Sequence, residues 1–310
     1  MKYLLMGATA LALVACSQEN QAPSADETTL TKTAETEMAV DETDAAKEPT
    51  AWERLDTVLA AQSDDAKARY QYRHPAETLK FFGIKPGMTV VDTLPGEVWY
   101  TGILLDYLGE DGKVIGADYS PEMWSLFGSF APPEGAKANW AAEWTEKAEG
   151  WRDEGDAAVG AFAFGSVPDD MAGTVDVVLQ IRSMHHFNRF EDQGGYRSQA
   201  IADMYKLLKP GGIVGVVQHR APESNDDAWA NGDNGYVKQS AIVAAFEAGG
   251  FDLADQSEIN ANPKDQPTES DFVWRLPPTL ATSGDDPEAA AAAIAIGESD
   301  RMTLKFKKPE

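Results

Sequence analysis

The sequence predicts an α/β fold built on a doubly wound, mostly parallel sheet that ends in an antiparallel strand pair. Three observations carry this prediction. Short β-branched runs alternate with helical stretches from Met88 onward. Glycine or proline punctuates many of the joints between them. Two last strand-like runs, Phe251–Ile259 and Arg301–Lys307, suit an antiparallel pair at a sheet edge.

The elements follow in order. Trp52–Ala61 is amphipathic and helical in pattern, and Ala66–Tyr72 reads as a second helix. Pro75 opens a short helix to Phe82, Gly83 ends it, and Pro86-Gly87 makes a turn. Met88–Asp92 reads as a buried strand, followed by a loop holding Pro95 and Gly96. Tyr100–Leu108 is a helix, Gly109–Gly112 a turn, and Lys113–Asp118 a second strand ending on an acid. Pro121–Phe127 starts another helix. Ala157–Phe164 and Thr174–Ile181 read as strands. Tyr196–Leu208 is a helix closed by Lys209-Pro210-Gly211-Gly212, ahead of a strand over Ile213–Gln218. Ser240–Ala248 is a helix that Gly249-Gly250 stops, and the alanines after Pro287 favour a surface helix. Sheets of this kind bind ligands beyond the carboxyl ends of their strands, where the strand order reverses. The loops after Asp92, Asp118, Ile181 and Gln218 are therefore the places to look for chemistry.

Composition excludes several functions. The net charge of −25 argues against nucleic acid, whose binding relies on Lys and Arg neutralising phosphates. It argues equally against a broad contact with anionic lipid. Cys16 is the single cysteine, so the rest of the chain has no disulfide, no cysteine-ligated metal and no cysteine nucleophile. Four scattered histidines show no metal-ligand spacing, so no metal site is expected. There is no Gly-Lys-Ser phosphate loop and no nucleophile-elbow serine.

The N-terminus is organised for export. Lys2 is followed by an apolar run from Leu4 to Ala15, too short to span a bilayer, which takes ~20 residues. A cation, an apolar stretch and small residues before a cut site describe a secretory signal over residues 1–15. The run ends Leu13-Val14-Ala15-Cys16, which resembles the lipobox of bacterial lipoproteins. That resemblance implies acylation of Cys16, with the membrane reached through this anchor alone. Ser17 after it implies the outer membrane, with the body facing the periplasm. Residues 16–50 are acidic and lack aromatic residues before the body, so they read as a disordered tether, and residues 51–310 as the folded body.

Within the body, Asp118 ends the second strand a little over twenty residues after the first loop. A carboxylate there can accept hydrogen bonds from both hydroxyls of a ribose, or can cap the helix that opens at Ser120-Pro121. Tyr119 can pack on an adenine face. The loop after the fourth strand holds His185 and His186, either of which can accept a substrate proton or cap local structure. In an extended loop the two would point apart, so only one would act on a given atom. His219 and Arg220 end the next strand, suited to an anionic substrate group or to an ion pair with nearby acids. His74, before Pro75, reads as structural.

The order of Val90-Val91-Asp92, Gly96, Asp118, Lys209-Pro210-Gly211-Gly212 and a final strand pair resembles the class I methyltransferases that use S-adenosylmethionine. Tyr72-Arg73-His74-Pro75, Trp99-Tyr100-Thr101, Gly116–Pro121, Gln218–Ala221, Ile259–Asp265 and Gly297–Met302 resemble, more narrowly, a bacterial group of predicted methyltransferases, many with export signals. The resemblance implies a Rossmann-like methyltransferase fold and a small-molecule methyl acceptor. It implies that Asp92, Gly96, Trp99 and Tyr100 line the amino-acid end of the cofactor and that Asp118 holds its ribose. The chain departs from the pattern at Glu97 and Val98, where the family has glycine. A β-branched Val98 is not expected to accept a positive φ, which counts against S-adenosylmethionine binding. The alternative is a non-catalytic ligand-binding lipoprotein that keeps the fold.

Overall fold

The computed structural model describes residues 49–96 and 98–310. Cys16, the export signal and all but the last two residues of the tether lie outside the described residues, as does Glu97. Four helices precede the sheet: α1 (Ala51–Ala61), α2 (Asp64–Lys67), α3 (Tyr70–Arg73) and α4 (Pro75–Phe82). Thr50 and Glu53 form a capping box at the start of α1. The one helix expected over residues 66–72 is two short ones. Ser63 caps α2 by accepting from the Ala66 amide, and the chain breaks around Arg69 before α3. His74 separates α3 from α4 at φ +40, out of the right-handed helical region that a following proline disfavours.

The body then alternates. It runs β1 (Thr89–Thr93), α5 (Trp99–Leu108), β2 (Lys113–Asp118), α6 (Pro121–Ser125), α7 (Trp140–Glu149) and β3 (Ala158–Ala163). It continues with β4 (Val175–Ile181), α8 (Met184–Arg189), α9 (Glu191–Gly194), α10 (Tyr196–Leu207) and β5 (Leu208–Ala221). It ends with β6 (Val237–Lys238), α11 (Gln239–Ala248), β7 (Asp252–Ser257), α12 (Pro287–Ile296) and β8 (Arg301–Lys307). The sheet order is β3-β2-β1-β4-β5-β8-β7, with β6 beside the end of β5. Strands β1 to β5 pair in parallel, while β8 runs antiparallel to both β5 and β7. The expected antiparallel pair forms one edge of the sheet, with β8 between β5 and the outermost strand β7. The protein has a doubly wound, mostly parallel α/β fold of the Rossmann-like kind.

Alternation along each strand sends neighbouring residues to opposite faces. Val91, Ile115, Val178 and Val214 pack into one core with Met184 and Phe187 of α8 and Met204 of α10. Val90, Val114 and Val177 pack into the other with Leu55 of α1, Phe82 of α4, Leu104 of α5 and Trp144 of α7. A sheet covered on both faces explains why its strands read as continuous apolar runs. Gly116 is required where α7 crosses β2, since a Cβ there would lie 2.8 Å from the Trp144 ring. The chain winds outward from β1 through β2 to β3, then returns to lay β4 against the other side of β1. That reversal opens a crevice at the carboxyl ends of β1 and β4.

Candidate active site

The crevice is roofed by the turn from β1 into α5. Leu94, Gly96 and Val98 take φ of +52°, +54° and +67°, a left-handed conformation at every second residue. The expectation that Val98 would refuse a positive φ is therefore corrected. The turn is held from both sides: the Leu94 amide donates to the Ala117 carbonyl (2.8 Å), and the Gly102 amide donates to the Val98 carbonyl (2.7 Å). Those contacts outweigh a left-handed cost of about 1–2 kcal/mol for a residue with a Cβ. The backbone thus has the shape of a glycine-rich turn with one glycine at the three positions.

Asp92, the residue before the last of β1, is almost fully buried, and its Oδ2 accepts from the Thr101 hydroxyl at 2.8 Å. Burial pushes its carboxyl up to about 7, against the lowering effect of the Thr101 bond. Trp99 and Tyr100 part company. Trp99 faces a cavity and donates its indole N–H to the Ala66 carbonyl (3.3 Å). Tyr100 turns into the core edge-on to Trp99, and burial pushes its hydroxyl up to about 12, so it is not a lining residue.

Two cavities share the turn residues Leu94, Pro95 and Gly96. The first, about 450 Å³, also contains Asp118, Trp124, Lys137, Trp140 and Trp144. Asp118 Oδ1 accepts from its neighbour's amide, Tyr119 N–H (2.8 Å), and from the Trp124 indole (3.0 Å). Its Oδ2 accepts from the Lys137 ammonium at 2.7 Å. Burial raises the Asp118 pKa from its ordinary value, and Lys137 opposes that rise. Lys137 also lies 4.5 Å from the centre of the Trp124 ring. Ser120, not Asp118, caps α6 by accepting from the Met123 amide. Tyr119 is corrected as an adenine platform. It is buried on the opposite face of the sheet, parallel to Phe127 and hydrogen-bonded to His186 Nδ1 at 2.8 Å. Trp124, Trp140 and Trp144 are the aromatic side chains that line the Asp118 cavity. Two of these lie at i and i+4 on α7 with Ala148 at i+8, a helical stripe that the sequence did display.

The second cavity, about 650 Å³, lies between the helical cover and the turn, and Arg69, Arg73, Trp99 and Arg182 line it. Arg182 is the residue of the β4 loop that reaches the crevice, and its φ is +57°. The two histidines behind it do not line either cavity. They lie in α8 rather than in an extended loop, so their rings stand 3.9 Å apart instead of pointing away from each other. His185 is bonded to Gln218 through Nδ1 (3.3 Å), and His186 to Tyr119. Burial holds both below the usual histidine range, His186 at about 4. A general-base role is withdrawn for both because they face the core.

His219 is also buried, with Nδ1 2.6 Å from the Ser299 hydroxyl. Arg220 is committed to ion pairs, at 2.7 Å to Glu258 and 2.8 Å to Asp300, which leaves no fork for a substrate anion. Among the described residues, no three His, Cys, Asp or Glu side chains are grouped so as to hold a metal ion.

No family model matches the chain, and no curated protein sequence does. Similar solved structures include the geranyl diphosphate C-methyltransferase of Streptomyces coelicolor, crystallised with Mg2+, geranyl diphosphate and S-adenosyl-L-homocysteine. It is 14% identical, with 81% of this chain and 87% of that one covered at a TM-score of 0.47. A SAM-dependent methyltransferase of Aquifex aeolicus is 18% identical, covering 66% and 93% at 0.42. The cyclase SpnF is 16% identical, covering 84% and 97% at 0.49. These likenesses are remote, and the fold assignment rests on the strand order itself.

Proposed function

We propose that this chain is an S-adenosylmethionine-dependent methyltransferase acting on a small molecule and exported as a lipoprotein through Cys16. The observation that carries the reading is the pair of cavities meeting at the Leu94–Gly96 turn. One offers a carboxylate among indoles, suited to a nucleoside, and the other continues past the turn towards Trp99 and the arginines. A ligand with a nucleoside at one end and an amino acid at the other matches that layout.

The residues fit the cofactor in two respects. The alternate positive φ values let the turn approach a ligand closely despite Leu94 and Val98. Asp92 is a buried carboxylate with no cation partner among the described residues, so a nearby positive charge would favour its ionised form. When bound, S-adenosylmethionine supplies an electrophilic methyl group. The protein's part is then alignment and exclusion of water. Asp118 and the indoles orient the nucleoside, Asp92 balances positive charge, and the arginine-lined cavity receives the acceptor. No buried histidine is needed as a base in this account.

Calorimetry with S-adenosylmethionine and with S-adenosylhomocysteine tests the reading. Absence of heat and of a thermal shift with both would overturn it. A second reading, a binding lipoprotein without transfer activity, is favoured by one observation: Lys137 already occupies Asp118. Binding that appears only in the E97G/V98G double variant would support that second reading. For export, we propose a lipidated Cys16 at the outer membrane with the body in the periplasm. Mass spectrometry of membrane-extracted protein showing an unacylated or uncut N-terminus would reject this.

A further inference from the structure

We propose that the cavity lined by Arg69, Arg73 and Arg182 binds an oxyanion, a phosphate or carboxylate, belonging to the methyl acceptor. The anion site stands on its own observations, while its assignment to the acceptor rests on the methyltransferase reading.

The charge balance comes first. Four guanidiniums, from Arg69, Arg73, Arg182 and Arg301, gather around one buried carboxylate, Glu298. Arg69 Nε donates to Glu298 Oε1 at 2.7 Å, and Arg301 Nη2 pairs with Oε2. Arg301 is further occupied by the Tyr72 carbonyl at 3.1 Å. Arg73 comes no closer than 3.9 Å to Glu298, and its buried Nε has no hydrogen-bond partner. For Arg182, the described residues offer no side-chain hydrogen bond and no carboxylate within ion-pair range. Among the described residues that line the cavity, the one acid is Asp65, which is exposed.

This cluster is anomalous in so acidic a chain. Arginines elsewhere, such as Arg152, Arg189, Arg220 and Arg275, each hold a carboxylate within 3.0 Å. Leaving a buried charge uncompensated costs about 3–5 kcal/mol. The like charges also work against each other. Burial and the neighbouring guanidiniums bring Arg73 down to about 10 and Arg182 to about 9. An oxyanion seated between them would relieve both effects.

Backbone and packing hold the forks in place. Arg182 follows directly on β4 at the switch point with a left-handed φ, and its amide donates to the Val217 carbonyl at 2.7 Å. Strain of that kind collects at functional sites. The Arg73 guanidinium lies 4.6 Å from the centre of the Trp99 ring, which fixes its plane. Planar forks of this sort match the geometry of carboxylate and phosphate. Glu298 holds Arg69 and Arg301, so among the described residues Arg73 and Arg182 line the cavity with no carboxylate bonded to them, and a cofactor carboxylate would match only one of the two charges. A second anion is therefore called for, and the cavity has room for it.

The test is calorimetry on the folded chain at fixed ionic strength, with inorganic phosphate as probe. The expected result is saturable 1:1 binding, weakened at least tenfold in R182Q and in R73Q and unchanged in R152Q. Binding should persist when S-adenosylhomocysteine is already bound. With no phosphate present, R182Q should melt higher than the parent chain, because it removes a half-buried charge that has no carboxylate partner among the described residues. Undetectable phosphate binding, or binding indifferent to R182Q and R73Q, would overturn the site. Loss of phosphate binding on adding S-adenosylhomocysteine would overturn the acceptor assignment and give the arginines to the cofactor. Phosphate binding without any S-adenosylhomocysteine binding would leave the anion site standing and remove the methyltransferase reading.

Discussion

The Lys137 ammonium sits 2.7 Å from Asp118 Oδ2, on the carboxylate proposed to receive a ribose. A carboxylate offers about four acceptor positions. Three are already taken on Asp118, by Tyr119 N–H, the Trp124 indole and Lys137. One remains, and gripping both hydroxyls of a ribose takes two. Lys137 is the donor on a flexible stem and the one that can leave. K137A is therefore expected to bind S-adenosylhomocysteine more tightly, by about tenfold for one hydrogen bond to a charged group. Calorimetry at pH 8 checks this, and weaker binding in K137A would show instead that Lys137 belongs to the site.

Val98 at φ +67° makes a prediction about stability. A Cβ in the left-handed region costs about 1–2 kcal/mol, while glycine costs the folded state roughly 0.4–1 kcal/mol through the freer unfolded chain. V98G should thus be neutral to slightly stabilised, and V98A should be less stable than V98G. Urea titration of the three proteins decides it. A V98G chain that loses more than about 1 kcal/mol would mean that the valine side chain matters through packing.

Asp92 gives a pH dependence with a definite sign. Its folded pKa of about 7 lies above the ordinary aspartate value of 3.8. Below about pH 4 the group is protonated in both states and contributes nothing. As pH rises towards 7 the unfolded chain ionises first, so folding loses stability, up to roughly 4 kcal/mol above pH 7. D92N keeps an acceptor for Thr101 and removes the penalty. Its advantage over the parent chain should be large at pH 8 and much smaller at pH 5, read from urea midpoints. An advantage of equal size at both values would mean that Asp92 does not titrate in this range.

The legible parts of the fold were those with local chemistry. β2 runs over Lys113–Asp118 as expected because its apolar run is bounded by Gly112 on one side and an acid-serine-proline cap on the other. The turn at Leu94–Val98 was legible as a site but not in conformation, since its left-handed residues are set by hydrogen bonds to β2 and to the start of α5. α8 was not legible: it is six residues long and Ser183 gives it no side-chain cap, so it carries no helical period or start signal. The arginine cavity was invisible for another reason. Arg69 and Glu298 are 229 residues apart, and only the insertion of β8 beside β5 brings them together.

The histidine cluster predicts acid instability opposed in sign to Asp92. His185, His186 and His219 all have folded pKa values below the ordinary 6.5, chiefly through burial. Among the described residues, their neighbours offer no carboxylate to offset this. His185 meets Gln218, with Arg182 and Arg189 nearby, and His186 meets Tyr119, Phe127 and Arg189. His219 meets Ser299, Tyr236 and Arg301. Above pH 6.5 all three are neutral in both states, so they have no effect on stability. As pH falls through 6.5 the unfolded chain takes up protons that the folded chain refuses. Stability is then lost, for His186 down to about pH 4. Three protons correspond to about 4 kcal/mol per pH unit, and Asp92 returns about one proton's worth over the same range. The net expectation is a steep fall in urea midpoint between pH 6.5 and pH 5. H186Q should flatten that slope by about 1.4 kcal/mol per pH unit. A midpoint that stays level across this window would contradict the assignment of these three rings as neutral in the folded chain.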